Sequence, residues 1–152
     1  MARNTTIAEQ NELNLFDSLS ESSIRFYYRT PTTEERQGFS NLSVQRKGRK
    51  IKMNQAAARL KYGLRIITGF REGDFVRTVN GKDEVYSSDP KSSKYLPTWK
   101  DELKNGASDL IMMLGGFVFE GSVEVADDEQ HDDVEIDTQG EDASGNSEET
   151  SA

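Results

Sequence analysis

Acidic and basic side chains are segregated along this chain. Residues 120–152 hold 13 acidic side chains and no Lys or Arg. The whole chain has 27 acidic and 19 basic residues, so residues 1–119 keep 14 and 19 and carry +5 against −13 for the tail. A run of like charge with so little apolar content cannot bury enough surface to offset its ordering entropy, and it predicts a disordered tail. The sequence divides into a flexible N-terminal arm (1–22), a compact net-basic domain (23–119) and an acidic disordered tail (120–152). Such asymmetry points to a binding protein whose tail is an interaction segment, a mask for its own basic surface, or both.

Within the domain, apolar periodicity predicts a small α+β fold with about three helices, one N-terminal strand and a β-hairpin. Ile24, Phe26 and Tyr28 alternate with Arg25, Tyr27 and Arg29, the period of a half-buried strand that Thr30-Pro31 ends. Before it, Leu13, Leu15, Phe16 and Leu19 either dock a short helix or fray with the arm. Thr32 and Glu35 have capping-box spacing and open a helix to about Val44, with Phe39 and Leu42 on one face and Gly38 weakening it. The stretch RKGRKIK (46–52) reads as a basic turn or short strand. Asn54 caps a helix over 55–68 that buries Ala57, Leu60, Leu64 and Ile67 and stops at Gly69. Asn80-Gly81 is the tight turn of a hairpin over 75–86. Trp99, Leu103, Ala107, Leu110, Ile111 and Leu114 form the stripe of a last helix, divided at Gly106 or continuous. Gly115-Gly116 ends it, and Phe117-Val118-Phe119 packs back or adds an edge strand.

Nothing in the sequence supplies catalytic chemistry. The single histidine, His131, sits in the acidic tail, where no neighbour orients it. There is no cysteine, which suits a reducing compartment, and there is no nucleophile elbow, phosphate loop or calcium loop. The expectation is a non-enzymatic protein with no cofactor and no metal. The N-terminus MARNTTIAEQNELN lacks a signal-peptide core, and no apolar run approaches the roughly 20 residues of a membrane span, so a cytoplasmic location without membrane contact is expected.

Two surfaces are candidates for binding. Residues 45–71 contain Arg46, Lys47, Arg49, Lys50, Lys52, Arg59, Lys61, Arg65 and Arg71 and no acid. They suit phosphate neutralisation, with Tyr27, Tyr28 and Tyr62 as stacking platforms. A solvated helix face or a protein contact is the favoured reading, because no nucleic-acid-binding motif accompanies the charge. The second surface is the C-terminal apolar segment: Trp99, Leu103, Leu110, Ile111, Met112, Met113, Leu114, Phe117 and Phe119. Core burial accounts for much of it. Its methionine-rich surplus suits a protein partner or a homo-oligomer.

Residues 97–152, with their apolar helix, Gly115-Gly116 break, FVF and acidic Ser/Glu-rich end, resemble the tail assembly chaperones of long-tailed bacteriophages. The phrase Tyr28-Arg29-Thr30-Pro31-Thr32-Thr33-Glu34-Glu35-Arg36 looks like the strand and Pro-Thr helix opening of small phage tail proteins. The resemblance implies a mostly helical body that holds the tape measure protein soluble and recruits tail tube subunits in the host cytoplasm. The alternatives are a nucleic-acid-binding domain with an autoinhibitory tail and a structural tail completion or connector protein.

Overall fold

The computed structural model describes residues 2–121, and the α+β class is as expected. The chain begins with a β-hairpin, β1 (Asn11–Asp17) and β2 (Ser22–Tyr28), which pairs Leu13 with Phe26 and Leu15 with Ile24. This corrects the expectation of a flexible arm over 1–22. Leu13 and Leu15 alternate with Asn14 and Phe16, and they pack on the core while Phe16 stays exposed. The turn is stabilised by Asp17, whose carboxylate accepts from the Leu19 and Ser20 backbone N–H groups at 3.2 Å and from the Ser20 hydroxyl at 2.7 Å.

Helix α1 (Thr33–Ser43) starts with the expected capping box. The Glu35 N–H donates to Thr32 Oγ1 at 3.1 Å, and the Thr32 N–H donates to Glu35 Oε1 at 2.9 Å. The basic stretch that follows is a two-stranded ribbon, β3 (Val44–Lys47) and β4 (Lys50–Met53), turning at Gly48 with φ of 61°.

Helix α2 (Gln55–Ile66) differs from its expected form in three respects. Asn54 occupies the N-cap position but makes no side-chain cap hydrogen bond; its Nδ2 donates to Gln45 Oε1 at 2.9 Å. The helix stops at Ile66, and residues 67–70 form β5 (Ile67–Phe70), which pairs with β2 and contains Gly69. The buried face is Ala58, Tyr62, Gly63 and Ile66, whereas Ala57 is exposed and Leu60 and Leu64 are half-buried.

The cause of that rotation is the last helical segment. Strands β6 (Val76–Val79) and β7 (Lys82–Val85) come first, joined as expected by Asn80 and Gly81 at φ of 52° and 78°. Helix α3 (Trp99–Gly106) follows, and Ala107 separates it from α4 (Ser108–Glu120). Helix α4 continues through Gly115-Gly116, contrary to the expected stop, so Phe117–Phe119 is helical and forms no strand. Two glycines let α2 and α4 touch backbone to backbone. A Cβ on Gly63 would lie 2.6 Å from the Ile111 carbonyl oxygen, and one on Gly115 would overlap the Arg59 carbonyl oxygen. Glycine in a helix costs about 1 kcal/mol against alanine. Close packing of the two helices offsets that cost.

The main core lies between the β1-β2-β5 sheet and α2, α3 and α4. Its fully buried members include Phe26, Ile66, Leu103, Ile111 and Leu114. A smaller cluster joins Phe39, Ala58 and Tyr62, and Phe119 stacks on Phe39 at 4.8 Å. Glu120, expected to open the tail, is the last residue of α4 and pairs with Arg59. The acidic residues beyond it, and His131, lie outside the described residues.

Candidate functional site

Burial sorts the nine C-terminal candidates. Trp99, Leu103, Leu110, Ile111 and Leu114 are core residues, which corrects the expectation that they meet a partner. Trp99 and Leu103 on α3 and Leu110, Ile111 and Leu114 on α4 join one core cluster with residues of β2, α2 and β5. Met112 and Phe119 are half-buried. Only Met113 and Phe117 are open to solvent, at 49% and 53% exposure, and they stand one turn apart on the same face of α4.

Phe117 borders an open depression floored by Val118 and Pro31 and rimmed by Tyr28, Thr30 and Arg36. Asn11 ties the rim together, its side-chain amide donating to the Tyr28 carbonyl at 3.2 Å and to Thr30 Oγ1 at 3.3 Å. Partial burial holds the Tyr28 phenol protonated above its ordinary range. The depression thus joins an exposed aromatic ring to neutral and cationic polar groups, a composition that suits an amphipathic protein segment.

A buried carboxylate anchors this wall. Glu35 is only 5% exposed, yet it accepts from Arg29 Nη1 and Nη2 at 2.7 and 2.6 Å and forms an ion pair with Arg65, whose Nε lies 2.9 Å from Oε2. The Arg29 hydrogen bonds and charge, with the Thr32 N–H and Arg65, hold its carboxyl down at about 2. The capping-box spacing marks Glu35 in the sequence. No local signal marks its two arginines, which arrive from β2 and α2.

Tertiary contacts also divide the nine basic residues. Arg59 donates to Glu120 Oε1 at 2.7 Å, Arg65 serves Glu35, and Arg71 reaches Asp74 at 3.0 Å. These three are structural ion pairs. Lys61 lies 5.7 Å from the ring centroid of its neighbour Tyr62. Tyr62 itself is buried, and Tyr27 and Tyr28 are half-buried, so none is an open stacking platform. The remaining five cations, Arg46, Lys47, Arg49, Lys50 and Lys52, all belong to the β3–β4 ribbon. Among the described residues, none of them has an acidic partner within ion-pair distance.

The ribbon register assigns its faces. Val44 pairs with Met53 and Arg46 with Ile51, so these four share one face; Gln45, Lys47, Lys50 and Lys52 share the other. Gln45 alone of the eight strand residues is half-buried, and the other seven are exposed. Val44, Ile51 and Met53 are exposed at 46%, 62% and 59%, so neither face contributes to the core.

Among the described residues, no group of three His, Asp or Glu side chains is placed to hold a metal ion. No described helix is long and apolar enough to cross a membrane. No protein-family model, curated protein or solved structure matches this chain.

Proposed function

We propose that this chain is a non-enzymatic binding protein of phage tail assembly, a chaperone that keeps the tape measure protein soluble and recruits tail tube subunits in the host cytoplasm. One observation carries the reading. The segment that resembles small phage tail proteins, 28–36, meets the described part of the segment that resembles tail assembly chaperones: Tyr28, Thr30, Pro31 and Arg36 come from the first, and Phe117, Val118 and Gly121 from the second. Their shared depression, with Met113 one turn away, offers exposed apolar surface beside a polar rim. That combination suits one face of an amphipathic helix, the form expected of a long tape measure protein.

Co-expression with tape measure segments tests the proposal. Segments that are insoluble alone become soluble with the wild-type chain. The Met113→Asp/Phe117→Asp double variant, altered only at exposed positions, folds with an unchanged circular dichroism spectrum and loses most of that rescue. Segments that stay insoluble with the wild-type chain refute the chaperone role.

A further inference from the structure

We infer that the β3–β4 ribbon is a binding arm for duplex nucleic acid, a site that stands independently of the chaperone reading. Three observations lead there. First, the ribbon serves no core: seven of its eight strand residues are exposed. A lone two-stranded hairpin contributes little stability of its own. Second, its register places Lys47 directly opposite Lys50. Like charges at that position oppose pairing, and an anion bound between them removes the penalty. Third, cations stand on both faces of the ribbon and at its turn. Lys47, Lys50 and Lys52 occupy one face, Arg46 shares the other with the exposed apolar Val44, Ile51 and Met53, and Arg49 stands at the turn.

The distribution of charge selects the ligand. An anionic membrane or an acidic protein face presents negative charge on one side of an inserted ribbon. A duplex groove presents phosphates on both walls. Paired strands are about 4.8 Å apart, and the DNA major groove is about 12 Å wide, so a two-stranded ribbon with its side chains fits within it. With no carboxylate among residues 45–71, nothing on the ribbon repels phosphate. Contact is to the backbone, because lysine and arginine held by phosphates carry no base readout. Structure thereby narrows the nine-residue basic stretch to the five of the ribbon, since Arg59, Arg65 and Arg71 are engaged in ion pairs and Lys61 stands on α2 beside the Tyr62 ring.

Fluorescence anisotropy of the full chain with a labelled mixed-sequence DNA duplex tests this. Binding is expected at low salt, with a log–log salt slope of about −4.5 for five phosphate contacts. The tip variant Lys47→Gln/Arg49→Gln/Lys50→Gln should bind at least about tenfold more weakly, with the slope falling to about −2. A control with the same change of net charge, Lys82→Gln/Lys91→Gln/Lys104→Gln, should bind like wild type. A full-length variant with Asp127, Asp128, Asp132 and Asp133 replaced by Asn carries four fewer negative charges and should bind more tightly. Failure of both the wild type and this tail variant to bind at low salt overturns the inference. So does equal loss in the tip and control variants. Tighter binding to polyglutamate or to phosphatidylserine vesicles than to duplex assigns the ribbon to a protein or a membrane and overturns it too.

Discussion

Replacing Glu35 by Gln removes one negative charge from a buried site while keeping its shape and an acceptor for the Thr32 N–H. The loss can be sized from the carboxyl itself. Its value in the folded chain is about 2 against an ordinary 4.5, a difference of 2.5 units. At 1.36 kcal/mol per unit this is about 3 kcal/mol of stabilisation of the charged form. Arg65 is more than half exposed and partly screened by water, which brings the expected loss to about 2–3 kcal/mol. Removing one partner of a buried pair typically costs about 3–5 kcal/mol, so the two figures are compatible for a site open on one side. The pH dependence follows from the depressed folded-state value. Stabilisation is full above pH 4.5 and is lost as pH falls through about 2, where wild-type Glu35 takes up the proton that Gln mimics. Urea unfolding of both proteins from pH 7 down to pH 2 reads this directly. The stability gap should be about 2–3 kcal/mol at pH 7, narrow below pH 4.5 and nearly close at pH 2. A gap of the same size at every pH refutes the electrostatic account and leaves only a packing defect.

The α2–α4 contact predicts opposite behaviour for adjacent glycines. Gly115→Ala drives a methyl into the Arg59 carbonyl, and overpacking of about 1–3 kcal/mol or more should outweigh a propensity gain of about 1 kcal/mol and lower the melting temperature. At Gly116 the new methyl meets side chains and no backbone, Arg59 Nε at 3.3 Å and Glu120 Oε2 at 3.7 Å, so Gly116→Ala should be neutral or slightly stabilising; equal effects at both sites would refute backbone contact. The Phe70 N–H donates to the buried Ser88 hydroxyl at 3.0 Å. Ser88→Ala should therefore cost about 1–3 kcal/mol and speed hydrogen exchange at the Phe70 amide; unchanged protection there would show that another acceptor serves it.

Local chemistry was legible wherever the deciding groups are close in sequence. The capping box of Thr32 and Glu35, the alternation of Ile24, Phe26 and Tyr28, and the Asn80-Gly81 turn each specify their element through neighbours a few residues away. The same reasoning failed at Gly115-Gly116. In isolation two glycines weaken a helix and read as its end, whereas here they are the places where α2 must come close. It failed again for β1, since the apolar cluster at Leu13–Leu19 has no assigned geometry until β2 offers its edge. The candidate surfaces followed the same division. Apolar character alone put Trp99, Leu103 and Leu110 beside Met113 and Phe117, and only the packing of α3 and α4 buries the first three and exposes the last two.

By itself, then, the sequence determined the α+β class, most element positions, and the separation of a net-basic body from an acidic C-terminal segment, because helical caps, turns and charge sums are short-range or compositional. Tertiary structure decided which face of α2 is buried, that α4 runs on to Glu120, and which three of the nine basic residues find an acidic partner among the described residues. Those outcomes depend on acceptors and backbone surfaces contributed from tens of residues away. Arg59 to Glu120 and Gly63 to Ile111 are such contacts, and no local pattern encodes them.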